Sequence, residues 1–305
     1  MSLTVSWNAV SGATGYRLYR SAGSKVNLAS PPSDVVNVGS DVTSYTYQTS
    51  VNRSIYYILV GAVLPDGNIT YTEQLLLGYF TDTGPGPQKL ARGDWNFGYF
   101  GEVDPNLLFS NSELYAGIVA SGATTPLATQ AAIPTLSVYH KFVVGGRILF
   151  TADQLYNNAA PSPGELINSK LLVKDNTYET NGVVVSKNGY DFVFRLPHAT
   201  VGNPTAVLQT AQYGAEAAVS EIGMIMSLFG TGPTPMVPPA PGVNGQIKYK
   251  LCDQVMGTWM GLAWVDTQVS AANTYGYMNI TSGSTGWSAI SQSNLRFQGV
   301  LELLF

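Results

Sequence analysis

The first eighty residues consist of short alternating runs broken by turn residues, a rhythm that restricts this part of the chain to antiparallel sheet. "LTVSW" places Leu3, Val5 and Trp7 on one side of a strand. The turn "SGATG" leads into "YRLYR", where Tyr16, Leu18 and Arg20 share one face and Arg17 and Tyr19 the other. "TSYTYQT" and "SIYYILVGAV" supply two further strands, and "PDGN" (Pro65 to Asn68) is a tight turn in which Gly67 can take positive φ before "ITYTEQLLLGYF". The pattern predicts a β-sandwich over 1–80, with Trp7, Tyr16, Leu18, Tyr45, Tyr57 and Val60 in core or half-buried positions.

The 305 residues leave room for a second domain. "TDTGPGPQKLAR" (Thr81 to Arg92) combines Gly, Pro and a shift in composition, so a short, fairly stiff linker is expected at 81–92 and a larger α+β domain at 93–305. There "LSVYHKFVVGGRILFT" reads as a hairpin turning at Gly145-Gly146, followed by a short helix "ADQLYNNA". "GVVVSKNGYDFVFRLP" reads as a second hairpin turning at Asn188-Gly189. "TAVLQTAQYGAEAAVSEIGMIMSLFG" has Ala217, Val219, Ile222, Met226 and Phe229 within reach of one apolar helical face. "NLRFQGVLELLF" should end the chain as a strand locked into a sheet, because a dangling apolar tail is a liability. The fold class expected is mainly β.

Charge is scarce. Hydrophobic residues make up 45% and charged residues 11% of the chain, against about 25% charged in an ordinary soluble domain. A neutral surface with 18 Tyr, 11 Phe and 5 Trp suits a protein that packs into an assembly, or a tight monomer with a Ser/Thr-rich coat. A net charge of −4 without clustered Lys and Arg argues against nucleic-acid binding. Cys252 is alone, so no internal disulfide and no Cys-based metal site can form. No export leader and no membrane-spanning run is recognised. The triplets at Asn52, Asn68 and Asn279 match the N-glycosylation pattern but carry little meaning without a secretory route.

Catalytic signals are thin. His140 and His198 are the two histidines, no nucleophile elbow accompanies either, and no phosphate-binding, zinc or dinucleotide motif occurs. No cofactor or metal is expected, and a structural role is the plainer reading of both. Paired carboxylates of a glycosidase could come from Glu102, Asp104 and Glu113, or from Glu216 and Glu221, yet their spacing singles out neither group. The more serious candidate is aromatic. Trp259, Trp264, Tyr275, Tyr277 and Trp287 fall in one stretch and could stack on sugar rings; a sheet core is the alternative. The Pro-rich segment "GTGPTPMVPPAPGVNG" (Gly230 to Gly245) lacks the flanking basic residues of a signalling ligand. It reads as a stiff loop or as an arm that reaches a neighbour through Pro235, Pro238, Pro239 and Pro241.

"LTVSWNAVSGATGYRLYR" resembles the "W…V…GATGYRVYR" strand pair of fibronectin type III modules, and "YYILVGAVLPDGN" resembles their later strand and turn. The resemblance covers roughly residues 1–80 and implies that module's sandwich. A complete module has a strand before the Trp-bearing one, and Met1-Ser2 is too short to form it. The first strand is therefore expected to be missing, leaving Leu3 and Val5 on an edge that is tolerated as it stands or covered by another chain.

Over 93–305, "GYFGEVDPNLLFSNSEL", "KFVVGGRILF…ADQLYNNA", "YDFVFRLPHAT", "VSEIGMIMSL" and "GW…LRFQGVLELLF" follow one another. They resemble, in order, the "GYYGEV" opening, hairpin, "Y.VRL" strand, "SEWN" helix and terminal "WRPVLEL" strand of a C-terminal domain in structural and tail-fibre-like proteins of tailed bacteriophages. The closing strand is also similar to that of C-type-lectin-like folds. "SEIG" departs from "SEWN", and "RFQGVLEL" lacks the usual Trp and Pro. The resemblance implies a non-enzymatic virion protein of tail, baseplate, neck or capsid, acting as a decoration or fibre component. Its expected partners are other virion proteins and further copies of itself. A fibre tip binding a host receptor or glycan, and a secreted carbohydrate-binding protein, are the alternatives.

Overall fold

The computed structural model describes residues 3–122, 138–152, 170–171, 182–197, 221, 224–225, 259–266, 274–279, 285–289, 295–296 and 299–305. The described chain is mainly β, with one short α-helix and sheets that are antiparallel except for the parallel pairing of Trp259–Met260 with Leu295–Arg296. It divides into two units. The first holds Met1–Thr83 with Asp94–Asn96, and the second holds Gly84–Gly93 with Phe97–Phe305.

In the first unit, β1 (Leu3–Ser6) pairs antiparallel with β4 (Ser44–Tyr47), Leu3 opposite Tyr47 and Val5 opposite Tyr45. The other sheet runs in the order β3 (Asp34–Gly39), β2 (Gly15–Ala22), β5 (Ser54–Val63), β6 (Ile69–Tyr71), and β7 (Leu75–Tyr79) also pairs with β5. The period-two pattern sends Leu3, Val5, Tyr16, Leu18, Tyr47, Tyr56, Ile58 and Val60 into one core, against which Trp7 and Tyr45 pack half-buried. Each such apolar side chain contributes about 1.5–3 kcal/mol when fully buried. Two of the buried tyrosine hydroxyls accept backbone bonds, Tyr16 Oη from Val10 N–H and Tyr56 Oη from Val51 N–H, both at 2.8 Å, whereas the buried Tyr47 hydroxyl has no hydrogen-bond partner among the described residues. On the outer side of the larger sheet Tyr19, Val26 and Leu59 form a second cluster, with Tyr57 half-buried against it. Gly67 takes φ +85° in its turn, as expected. Trp95 stacks on Phe80 with ring centroids 4.8 Å apart and planes 10° apart.

The second unit is built on a seven-stranded sheet of order β12 (Val183–Lys187), β13 (Tyr190–Arg195), β18 (Val300–Leu303), β11 (Arg147–Ala152), β10 (Tyr139–Val144), β9 (Phe97–Val103), β8 (Arg92–Gly93). Both expected hairpins form. Their turns carry φ of +55° and +78° at Gly145-Gly146 and of +54° and +81° at Asn188-Gly189, the two positive values that a two-residue type I′ turn demands. The terminal strand does not lie at an edge: β18 sits between β13 and β11, and all four of its residues are buried. Every residue of β10 is buried too, so this part of the sheet is covered on both faces.

A short 3₁₀ turn (Pro105–Leu107) precedes α1 (Asn111–Ala120). Ser110 and Glu113 close a capping box at the start of α1, and Gly117 brings the helix against β12: a Cβ there would stand 2.5 Å from Val185 Cγ1. Of the longer helix expected around 206–229, Glu221, Met224 and Ile225 are described, helical and buried. The segment "ADQLYNNA" beyond Ala152 lies outside the described residues. A further four-stranded sheet has the order β16 (Thr285–Ala289), β15 (Thr274–Asn279), β14 (Trp259–Asp266), β17 (Leu295–Arg296).

The stretch 81–92, expected to be a short, fairly stiff linker, is divided between the two units. Gly84–Gly93 belongs to the second unit. The physical reason is a buried lysine on β10, described next.

Candidate functional site

Lys141 occupies the middle of β10, every residue of which is buried, and it is fully buried itself. Its ammonium donates to three backbone carbonyls, Gly84 at 3.2 Å, Pro85 at 3.1 Å and Pro87 at 2.7 Å. The rings of Phe100 and Phe150 lie 4.9 Å and 5.6 Å away. Proline has no N–H to turn inward, so a Gly-Pro-Gly-Pro run offers its carbonyls to a cation without competing donors. Gly84, at φ +84°, passes so close to Leu303 that a Cβ would stand 2.8 Å from its Cδ2. The supposed connector is thereby pinned to the sheet.

A buried ion cluster lies on the opposite face of the sheet from Lys141, since Lys141 shares a face with Phe150 and Leu301 while Glu302 pairs with Leu149. Arg195 on β13 donates through Nη1 to Glu221 Oε2 and through Nη2 to Glu221 Oε1, and through Nη2 to Glu302 Oε2 at 2.6 Å. Arg147, partly exposed, reaches Glu221 Oε1 at 2.9 Å. Two cations and two carboxylates therefore balance inside the second unit. Burial works against the charged form of Arg195, but the two glutamates outweigh it and raise the guanidinium's pKa above its ordinary value. The cluster joins β13, β11, the terminal strand and the helical turn at 221, so its role is to tie these elements together.

The other carboxylates singled out in the sequence are also engaged. Asp104 Oδ1 accepts from Asn106 N–H at 2.8 Å and caps the 3₁₀ turn. Glu113 accepts from Ser110 N–H at 2.6 Å and from Lys187 Nζ at 2.9 Å. Burial raises the Glu113 pKa, but the hydrogen bonds from Lys187 and Ser110 prevail and hold it below the ordinary value. Glu102 lies on β9 opposite His140 and is exposed. Glu221 is in the ion cluster, and Glu216 is outside the described residues. His140 is buried with Nδ1 2.9 Å from Tyr99 Oη, whose pKa burial pushes up. His198 lies outside the described residues.

In the first unit, Arg20 is nearly buried between two rings, its Cζ 4.2 Å from the centroid of Tyr47 and 4.8 Å from that of Tyr56. It donates to Asp34 Oδ2 at 2.5 Å and to Ser50 Oγ at 3.0 Å. Arg20, Asp34, Ser50 and Tyr56 line an open cleft of about 650 Å³ with Pro32 and Val51. Burial raises the Tyr47 hydroxyl pKa, with Asp34 adding to it. The cleft can hold a small polar group, but Asp34 already satisfies the charge of Arg20.

The five aromatic candidates all fall in the four-stranded sheet, Trp259 and Trp264 on β14, Tyr275 and Tyr277 on β15, Trp287 on β16. Trp259 pairs with Asn279, so alternation puts positions 259, 275 and 277 on one face. Trp287 pairs with Gly276 and belongs to the opposite face. Trp264 lies in the irregular stretch between Gly261 and Val265. Position 277 has a glycine opposite it on both neighbouring strands, Gly261 and Gly286. Pro235, Pro238, Pro239 and Pro241 lie outside the described residues, while Leu3 and Val5 sit on β1 with their side chains in the core.

Lys141, Arg195 and Glu302 were missed at the sequence level. The available signal was a charge inside an otherwise apolar run, as in "KFVV", "FVFRL" and "VLELLF", which only a buried partner can make tolerable. Ser110-x-x-Glu113 likewise marked the start of α1.

Among the described residues no group of three or more His, Cys, Asp or Glu could hold a metal ion, and no helix is long and apolar enough to cross a membrane. No family model, no curated protein and no solved structure matches the chain.

Proposed function

We propose that this chain is a non-enzymatic structural component of a tailed-phage virion, a fibronectin type III-like module joined to a tail-fibre-type domain. One observation carries the reading. Four of the five motifs that resemble the phage domain fall, in chain order, on one sheet: "GYFGEV" on β9, "KFVVGGRILF" on β10 and β11, "YDFVFR" on β13 and "VLEL" on β18. Short motifs scattered over some 200 residues have no reason to share one sheet unless they belong to one fold. The division of the first unit into β1–β4 and β3-β2-β5 supports the fibronectin-like half of the reading. A composition poor in charge and rich in aromatic residues supports assembly as the mode of action. Its place is the virion, assembled in the host bacterium.

The test is retention. Tagged protein should co-purify with particles at fixed stoichiometry through a density gradient. Recovery as a free species, with none in particles, overturns the proposal.

A second reading, glycan or receptor binding at a fibre tip, is favoured by the register that places positions 259, 275 and 277 on one sheet face. It predicts that the full chain binds host cells and that Trp259→Ala or Tyr275→Ala abolishes binding. Unchanged binding in both variants removes these residues from consideration.

A further inference from the structure

We infer that the outer edge of β1 is a pairing surface for a second copy of this chain, joined antiparallel through Thr4 and Ser6. The direction of the backbone groups follows from one hydrogen bond. Trp7 N–H donates to Thr43 C=O at 2.9 Å, continuing the register that sets Val5 against Tyr45 and Leu3 against Tyr47. Hydrogen-bonded and non-hydrogen-bonded pairs alternate in such a ladder, so residues 3, 5 and 7 turn their N–H and C=O toward β4. Thr4 and Ser6 turn theirs away. The contact of Thr4 Oγ1 with Thr46 Oγ1 at 2.9 Å is the close side-chain approach of a non-hydrogen-bonded pair, as this assignment requires.

Among the described residues the β1–β4 sheet has two strands, and nothing pairs with β1 on its outer side. The two edges are treated differently. On β4 the outward carbonyl of Thr46 accepts from the chain's own Gln48 Nε2. Among the described residues β1 has no such cap, and it carries none of the usual protections, neither Lys, Pro nor bulge.

A second copy suits this edge because the sequence is self-complementary across a two-fold axis. Pairing about Val5 sets Thr4 against Ser6 of the copy and Ser6 against its Thr4, which gives four N–H···O bonds and satisfies all the outward groups. Leu3 faces Trp7 of the copy, and the core sides of the two sheets stay on the same side. β1 and β4 carry no charge, so nothing repels the approach. The result is a continuous sheet β4-β1-β1-β4 across two chains. It does not depend on the virion reading, since two chains can pair outside any particle.

The experiment is sedimentation of the full chain over a concentration series, with amide exchange read at Thr4 and Ser6. Wild type should dimerise, and exchange at both amides should slow as the dimer fills. Thr4→Pro removes an outward N–H that bonds nothing among the described residues and should give a monomer. Ser6→Lys, which keeps the backbone intact, should do the same. Ser44→Lys, on the outer side of β4, should leave the dimer in place. A wild type that stays monomeric throughout overturns the proposal. So does a dimer that survives both Thr4→Pro and Ser6→Lys, or one whose Thr4 and Ser6 amides exchange as fast as in the monomer.

Discussion

Arg195 and Glu221 form a bidentate pair inside the second unit, with Nη1 to Oε2 at 2.7 Å and Nη2 to Oε1 at 2.8 Å, both side chains buried. The pair joins the penultimate strand of the described sheet edge to a helical turn 26 residues further along the chain. Charges taken out of water in this way are tolerable only together, because the interior cannot solvate one that has lost its partner. Glu221→Leu should therefore lower stability by about 3–5 kcal/mol. The double variant Arg195→Met with Glu221→Leu should lose less than the sum of the two single ones. Chemical denaturation of all three proteins reads the coupling; strict additivity contradicts the cluster.

Lys141 makes a separate claim on the segment 84–87. Replacing it with Met leaves the carbonyls of Gly84, Pro85 and Pro87 without this donor, at about 1–3 kcal/mol for each group that stays buried and unpaired. The variant should lose stability and become open to proteolytic cleavage between residues 84 and 93. Unchanged protease resistance would show that the lysine does not hold the segment.

At the start of α1 the effect is one of pH. Glu113 is held below its ordinary value of 4.5, so it is charged in the folded chain at a pH where it would already be taking up protons when unfolded. Its contribution is present above about pH 4.5 and fades as acid protonates it in the folded state. Stability measured across pH 2–6, a window around the usual carboxylate pKa of about 4, should fall less steeply on acidification in Glu113→Gln than in wild type. Identical slopes would remove the capping box from the acid response.

Packing without charge decides the case of Gly78. A Cβ at this position would lie 2.5 Å from the Trp95 ring, which stacks on Phe80. Gly78→Val should displace that ring, quench or shift its fluorescence and cost about 1–3 kcal/mol. Gly78→Val combined with Trp95→Ala should recover part of the loss. No recovery would mean that the clash lies elsewhere.

The elements that could be read in advance are those whose cause is local. Asn188-Gly189 and Gly145-Gly146 announce two-residue turns because both of their positions need positive φ, and the hairpins stand where those pairs do. Tyr16, Leu18 and Val60 are buried because alternation alone puts them on the inward face of their strands. What the linker rests on was not legible for the opposite reason: Gly and Pro record a stiff backbone but not its contacts, and Lys141 lies more than fifty residues away. The aromatic set was recognised as a group. Its division between two faces depended on the pairing of β14, β15 and β16, which no single strand encodes.

By itself, the sequence determined a mainly β chain with little charge, its hairpin turns, the inward residues of each strand and the capped start of α1, since period, turn chemistry and capping act within a few residues. Tertiary structure alone decided that β18 enters between β11 and β13 and that Glu302 there meets Arg195, 107 positions back. It also decided that the Gly-Pro run closes over Lys141. Each of these joins groups that are distant along the chain, and their free energy appears only when water is excluded from both at once.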